Sequence, residues 1–163
     1  MPKIKATLSA KSLDKAIAEI EAYRRKVEKF PEKAVEKAVE MGVEQAKDLA
    51  MYMLAYDSGQ LVDGIIGETD GDKGRIVSTA FHTMFVEFGT GVRGKEEPHP
   101  EYFAMGWKYD VNEHGEAGWF YKGDDGKVHW TKGMPSRPFM HDTAQMMKEA
   151  IPWIAETVLE EGE

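Results

Sequence analysis

Five histidines, His82, His99, His114, His129 and His141, are the side chains of this sequence best suited to hold a metal or move a proton near neutral pH. A helical metal pair needs two of them four residues apart on one face, as in HExxH, and no two stand at that spacing. The chain has no cysteine, which removes thiolate ligands, disulfides and cysteine nucleophiles together. Its 29 carboxylates offer many acids and bases, but their order singles out no working pair, because separation and desolvation are set by the fold. Ser58, Ser78 and Ser136 lack the Gly-x-Ser-x-Gly frame of a nucleophile elbow. Gly89, Gly91 and Gly94 do satisfy GxGxxG. A phosphate loop also needs a helix that begins inside the run and turns its free N–H groups to the anion, whereas Lys95-Glu96-Glu97-Pro98 follows here. The glycines therefore read as turn residues, with Gly89 or Gly91 at positive φ closing the Phe85 to Phe88 segment. No catalytic, cofactor-binding or metal residue is assigned.

The elements that must place these residues follow from hydrophobic spacing. Leu13, Ala16, Ile17, Ile20, Val27 and Phe30 recur along one helical stripe, so a helix is expected from Ser12 to Phe30, capped by Ser12 with Asp14 in its first turn. Pro31 suits a first helical position and is expected to start a second helix, running to Ala55. Its inward stripe, Ala34, Val35, Ala38, Val39, Val43, Ala46, Leu49, Ala50 and Met53 with Gly42, is small enough for another element to approach closely. Glu32, Lys33, Glu36, Lys37, Glu40, Glu44 and Lys47 form its solvated face. Asp57-Ser58-Gly59 breaks the helix, and Gln60 to Ile66 holds one further turn or two.

Two hairpins are expected: Ile65 to Thr69 with Arg75 to Ala80, and Trp119 to Lys122 with Lys127 to Thr131. Between them, residues 95–116 form a long polar loop carrying Tyr102, Phe103, Trp107 and Tyr109, rings suited to subunit contacts. Pro138 to Glu160 is the last helix, with Phe139, Ala144, Met147, Ile151, Ile154 and Val158 facing inward. The fold class is α+β: one domain over residues 1–163, with long N-terminal helices and a C-terminal helix packed on one antiparallel sheet of about four strands. Residues 1–30 are expected to extend as an arm.

With 42% apolar residues and no long apolar run, the chain is expected neither to enter a membrane nor to carry a signal peptide. Its net charge of -8 is uneven. Residues 1–56 hold 11 basic and 9 acidic groups, residues 57–163 hold 10 and 20, so a duplex-binding role is disfavoured overall.

Three segments taken together carry a family resemblance: Asp57-Ser58-Gly59-Gln60-Leu61-Val62-Asp63-Gly64-Ile65, then Phe85-Val86-Glu87-Phe88-Gly89-Thr90-Gly91, then Pro135-Ser136-Arg137-Pro138-Phe139-Met140. In order and spacing they resemble the head-tail joining or tail-completion proteins of the neck of long-tailed bacteriophages. Gly64 stands where that family commonly has Ser, and residues 95–132 are longer and more aromatic than in compact members. The resemblance implies a structural, non-enzymatic protein without a cofactor. Its protomers would build a ring in the virion neck and join the DNA-filled head to the tail. It would be made in the bacterial host cytoplasm and contact head-completion and tail-terminator or tail-tube proteins, with no membrane partner and DNA only as a passing contact. The residues so marked are Ser58, Gly59, Leu61, Val86, Glu87, Phe88, Gly89, Thr90, Gly91, Pro138 and Phe139. Glu87, between apolar neighbours, is read as a carboxylate that accepts local N–H groups, in preference to a contact with a ring neighbour. Two other readings stand beside this one: a hydrolase using acidic residues with His129 or His141, and a DNA-contacting module using Lys11, Lys15, Arg24, Arg25, Lys26 and Lys29.

Overall fold

The computed structural model describes residues 9–53, 59–109, 117–123 and 125–161. Where two N-terminal helices were expected there is one. Helix α1, Ala10–Tyr52, runs through Pro31 without a break, and at 1.5 Å per residue its 43 residues span about 64 Å. Pro31 therefore sits inside a helix, where it removes one N–H from the ladder; packing of the downstream half offsets that loss. The cap is Ser9 and not Ser12: the Ser9 hydroxyl accepts the Ser12 N–H at 3.3 Å.

A short helix α2, Gln60–Asp63, leads into strands β1, Ile65–Asp70, and β2, Lys73–Ser78, which pair antiparallel from Ile65↔Ser78 to Asp70↔Lys73. Two further short helices follow, α3, Thr83–Phe88, and α4, Gly91–Glu96. A second antiparallel hairpin is formed by β3, Trp119–Lys122, and β4, Val128–Thr131. The two-residue strand β5, Gly133–Met134, precedes the last helix, α5, Phe139–Glu160.

The fold is α+β as expected, but the single four-stranded sheet is not formed. The hairpins make two separate two-stranded sheets. The physical reason is that each hairpin is held by a different partner. The β1–β2 hairpin lies on α1, where Gly67 and Gly74 leave room for Val35, Val39 and Val43, and Ile76 reaches Gly42. The chain leaving β4 pairs instead with the turn after α3, through bridges Thr90↔Met134 and Gly91↔Gly133, which anchors the second hairpin there.

The central core takes Ala46 and Ala50 from α1, Leu61 from α2, Ile65 from β1, Val86 from α3 and Phe139 from α5. The small α1 stripe thus does what its composition predicts. On α5 the buried positions are Phe139, Thr143, Ile154 and Val158, whereas Ala144 and Ile151 are exposed. Thr143 lies one helical turn after Phe139 and tolerates burial because its hydroxyl donates to the Phe139 carbonyl at 2.7 Å. Helix α5 runs antiparallel to α1: it starts beside Ala46 and Ala50 and ends where Lys37 meets Glu161 at 3.5 Å.

Replacing Gly67 by valine would drive a side chain into Val39. Urea unfolding of Gly67→Val should show a loss of about 1–3 kcal/mol, the usual cost of overpacking. Ile66→Thr, on the exposed side of the same strand, should stay within about 0.5 kcal/mol of the parent.

Candidate functional site

Helix α5 begins after Pro138, and a proline side chain cannot accept a hydrogen bond, so the first N–H groups of the helix need an acceptor from elsewhere. Glu87 supplies it. Its Oε2 accepts the Met140 N–H at 3.0 Å and its Oε1 accepts the His141 N–H at 2.9 Å, while the Phe139 N–H goes to the Arg137 carbonyl at 2.8 Å. A buried anion at a helix N-terminus also meets the positive end of the helix dipole. The expected N–H acceptance is present, but the donors are 53 and 54 residues away in the chain and belong to another helix, not to the local turn.

His99 closes the arrangement. Its Nε2 lies 3.2 Å from Glu87 Oε1, and its Nδ1 accepts the Glu101 N–H at 3.0 Å. A ring whose Nδ1 accepts carries its proton on Nε2, so Nε2–H donates to the carboxylate. Phe88 packs against the His99 ring at 4.2 Å between centroids and stacks on Trp107 at 5.1 Å. Two backbone ties run beside the carboxylate: the Arg137 N–H donates to Val86 C=O at 2.9 Å and the Ser136 hydroxyl to Glu87 C=O at 2.6 Å.

Both Gly89 and Gly91 have positive φ, 76° and 61°. At Gly89 a Cβ would lie 2.6 Å from the Ser136 nitrogen, and at Gly91 2.6 Å from the Lys132 carbonyl oxygen, so the turn needs glycine for space as well as for conformation. Contrary to expectation a helix does begin inside the GxGxxG run, since α4 starts at Gly91. Two of its leading N–H groups are already used: Gly91 donates to Tyr109 C=O at 2.7 Å and Arg93 to Lys132 C=O at 3.2 Å. The Thr90 hydroxyl accepts the Met134 N–H at 3.2 Å.

The marked segments, far apart in sequence, meet in space. Leu61, Val86 and Phe139 share the core, Gly59 precedes α2, Glu87 to Gly91 wrap the start of α5, and Pro138 forms that start. Ser58 lies outside the described residues. Of the aromatic loop, Trp107 and Tyr109 turn inward: the Trp107 indole N–H donates to Gly89 C=O at 3.1 Å, and the Tyr109 hydroxyl accepts the His99 N–H at 3.2 Å. Burial pushes the Tyr109 hydroxyl above its ordinary pKa, against the opposing pull of the His99 N–H bond. Phe103 and Met105 face solvent, and Tyr102 is at the margin of exposure.

Sequence reasoning missed His99 and Ser136 as partners of Glu87. The readable signal was a pair of mismatches: a helix start without a capping side chain, and a lone carboxylate in an apolar run.

The histidines of the hydrolase reading lie elsewhere. His129 Nε2 sits 3.0 Å from Asp125 at the exposed end of the second hairpin, and that bond holds the Asp125 carboxyl below its usual pKa. His141, in the first turn of α5, faces Asp142 at 3.3 Å and Glu101 at 3.7 Å. The clefts along α1 and at the β1–β2 turn are lined by other residues, Lys33, Glu36, Lys37, Glu40, Val158 and Glu161 in one and residues 68–70 and 73–75 in another. Among the described residues no group of histidine and carboxylate side chains is placed to hold a metal ion.

Glu87→Gln would set an amide N–H₂ against the α5 N–H groups or against His99. It should cost about 2–3 kcal/mol in chemical denaturation, while His99→Phe, which keeps a ring over Phe88, should cost about 1 kcal/mol. Equal, negligible effects would show that the carboxylate does not hold α5.

No curated protein and no solved structure matched the chain. Among the described residues no helix is long and apolar enough to cross a membrane. A family model, HK97-gp10_like, described as "Bacteriophage HK97-gp10, putative tail-component", matches residues 14–89, from the arm of α1 through β1, β2 and α3 to the first glycine of the turn. Over residues 14–89, a little under half of its length, this chain is similar to the HK97-gp10-like family of bacteriophage tail components.

Proposed function

We propose that this protein is a non-enzymatic component of the phage neck, which assembles with copies of itself into a ring and joins the DNA-filled head to the tail. The observation that carries the reading is the junction at Glu87. The segments of the neck-protein resemblance close there into one interlocked unit, and the tail-component match ends at its Gly89. In that unit the side chains of Glu87, Thr90, Trp107 and Ser136 each bond a backbone group of another segment, which suits a scaffold. The partners in this reading are the protein itself and the flanking head-completion and tail-terminator or tail-tube proteins, with residence in the virion. Phe103 and Met105, projecting from a segment pinned by Trp107 and Tyr109, are the contact residues of the loop.

A second reading, contact with passing DNA, is favoured by one observation. All six basic residues singled out for it lie on α1 before Pro31, and at 100° per residue Lys11, Lys15, Arg25 and Lys29 fall within about 80° of one another. In a ring whose lumen faced that side, these charges would meet phosphates without reading sequence.

Deleting the gene from its phage should leave packaged heads and finished tails that fail to join, seen by electron microscopy of the lysate. Phe103→Ser with Met105→Ser should give the same unjoined particles while the protomer keeps its unfolding midpoint, because a stoichiometric joiner works through buried contact area, commonly about 1,200 Å² or more. Infectious virions from the deletion, or heads that never fill, would overturn the assignment.

A further inference from the structure

The N-terminal half of α1 carries an apolar stripe in which Ala16 is buried at 8% exposure and the larger side chains are covered by no described element. Leu13, Ile17, Ile20 and Val27 are 46%, 54%, 54% and 46% exposed, and Tyr23 is 36% exposed. The described contacts of α1 that can be placed begin near Lys26 and Phe30, beside Val158 at the end of α5, and continue through Val35, Lys37, Val39 and Gly42. The stripe keeps a heptad rhythm: Leu13, Ile20 and Val27 at one position, Ala16, Tyr23 and Phe30 at the other, over about 26 Å of helix.

The charges beside the stripe say what covers it. Residues 14–21 hold Asp14, Glu19 and Glu21 against Lys15, whereas residues 24–29 hold Arg24, Arg25, Lys26 and Lys29 against Glu28. One half of the arm is acidic and the other basic. Laying a second arm alongside in the same direction sets acidic half beside acidic half and basic beside basic, relieved only where Glu19 reaches Arg24 of the other copy. Reversing it sets each half against its opposite, about a two-fold axis between Ile20 and Tyr23. In that register Leu13 faces Phe30, Ala16 faces Val27, and Ile20 faces Tyr23. The flanking positions then match as well: Glu19 meets Lys26 of the second copy, twice by symmetry, and the stem of Arg24 lies over Ile17. Glu19 is free to make this contact, since its bond to Lys15 is a solvent-exposed pair at 3.8 Å.

We propose that the arm of α1 pairs with the arm of a second copy of this chain as an antiparallel two-helix seam centred between Ile20 and Tyr23. The contact does not depend on the neck assignment. A two-fold pair is closed, so it describes the free protein, and ring growth would use other faces.

Sedimentation velocity over a concentration series tests it, with circular dichroism to confirm that each variant keeps its helix. The parent should form a dimer that weakens as salt rises. Glu19→Lys and Lys26→Glu should each weaken it by about tenfold or more, and the double exchange should restore it to within about threefold. In a parallel seam the double exchange would set Lys against Arg24 and give no rescue. Because the chain has no native cysteine, Ile20→Cys protein mixed with Tyr23→Cys protein should form a disulfide-linked dimer that neither forms alone. A protein that stays monomeric throughout, a dimer indifferent to both single exchanges, or an exchange without rescue would each overturn the proposal.

Discussion

A carboxylate shut away from water must be surrounded by donors, and at Glu87 those donors are the first free N–H groups of a helix more than fifty residues further along the chain. This contact fixes where α5 starts and which way it points. From that start Phe139 reaches the core beside Ala46 and Ala50, and α5 can run back along α1 to Lys37. The same contact sets the path of the intervening chain: His99 is drawn onto the carboxylate, Phe88 lies under His99, and Trp107 stacks on Phe88. Removing the anion would therefore loosen a helix and a loop together.

The glycine turn is the other half of that constraint. Segments 89–91 and 132–136 lie so close that main-chain atoms of one occupy the space where side chains of the other would begin. Bridges at Thr90 and Gly91, and the Ser136 hydroxyl on the Glu87 carbonyl, turn this proximity into hydrogen bonds. What resembles a nucleotide loop in the sequence is here a site of backbone-to-backbone packing.

Much of this was legible in the residues themselves. The runs Ile65 to Thr69 and Arg75 to Ala80 gave the first hairpin, its first strand within one residue and its second two residues too late, and the Ala, Val and Gly stripe of α1 announced a close neighbour. The positive φ at Gly89 and Gly91 followed from two glycines flanking a β-branched threonine. Pro31 misled because local propensity favours a restart there, whereas the downstream half of α1 is held by β1, β2 and α5, and the ladder survives one missing donor. The four-stranded sheet failed because alternation tells which residues form strands but not which edges meet. His99 was invisible as a partner of Glu87, since no spacing rule links a loop histidine to a carboxylate twelve residues earlier in a different element.

Pro31 has a mechanical consequence. It removes the donor that would meet the Val27 carbonyl, so the ladder of α1 is thinnest where the arm leaves the packed part of the molecule. Bending stiffness is lowest at that junction. A load on the free end would flex α1 near residues 27–31 before it strained the seat of α5, so the arm is joined to the body by a compliant coupling in an otherwise stiff rod.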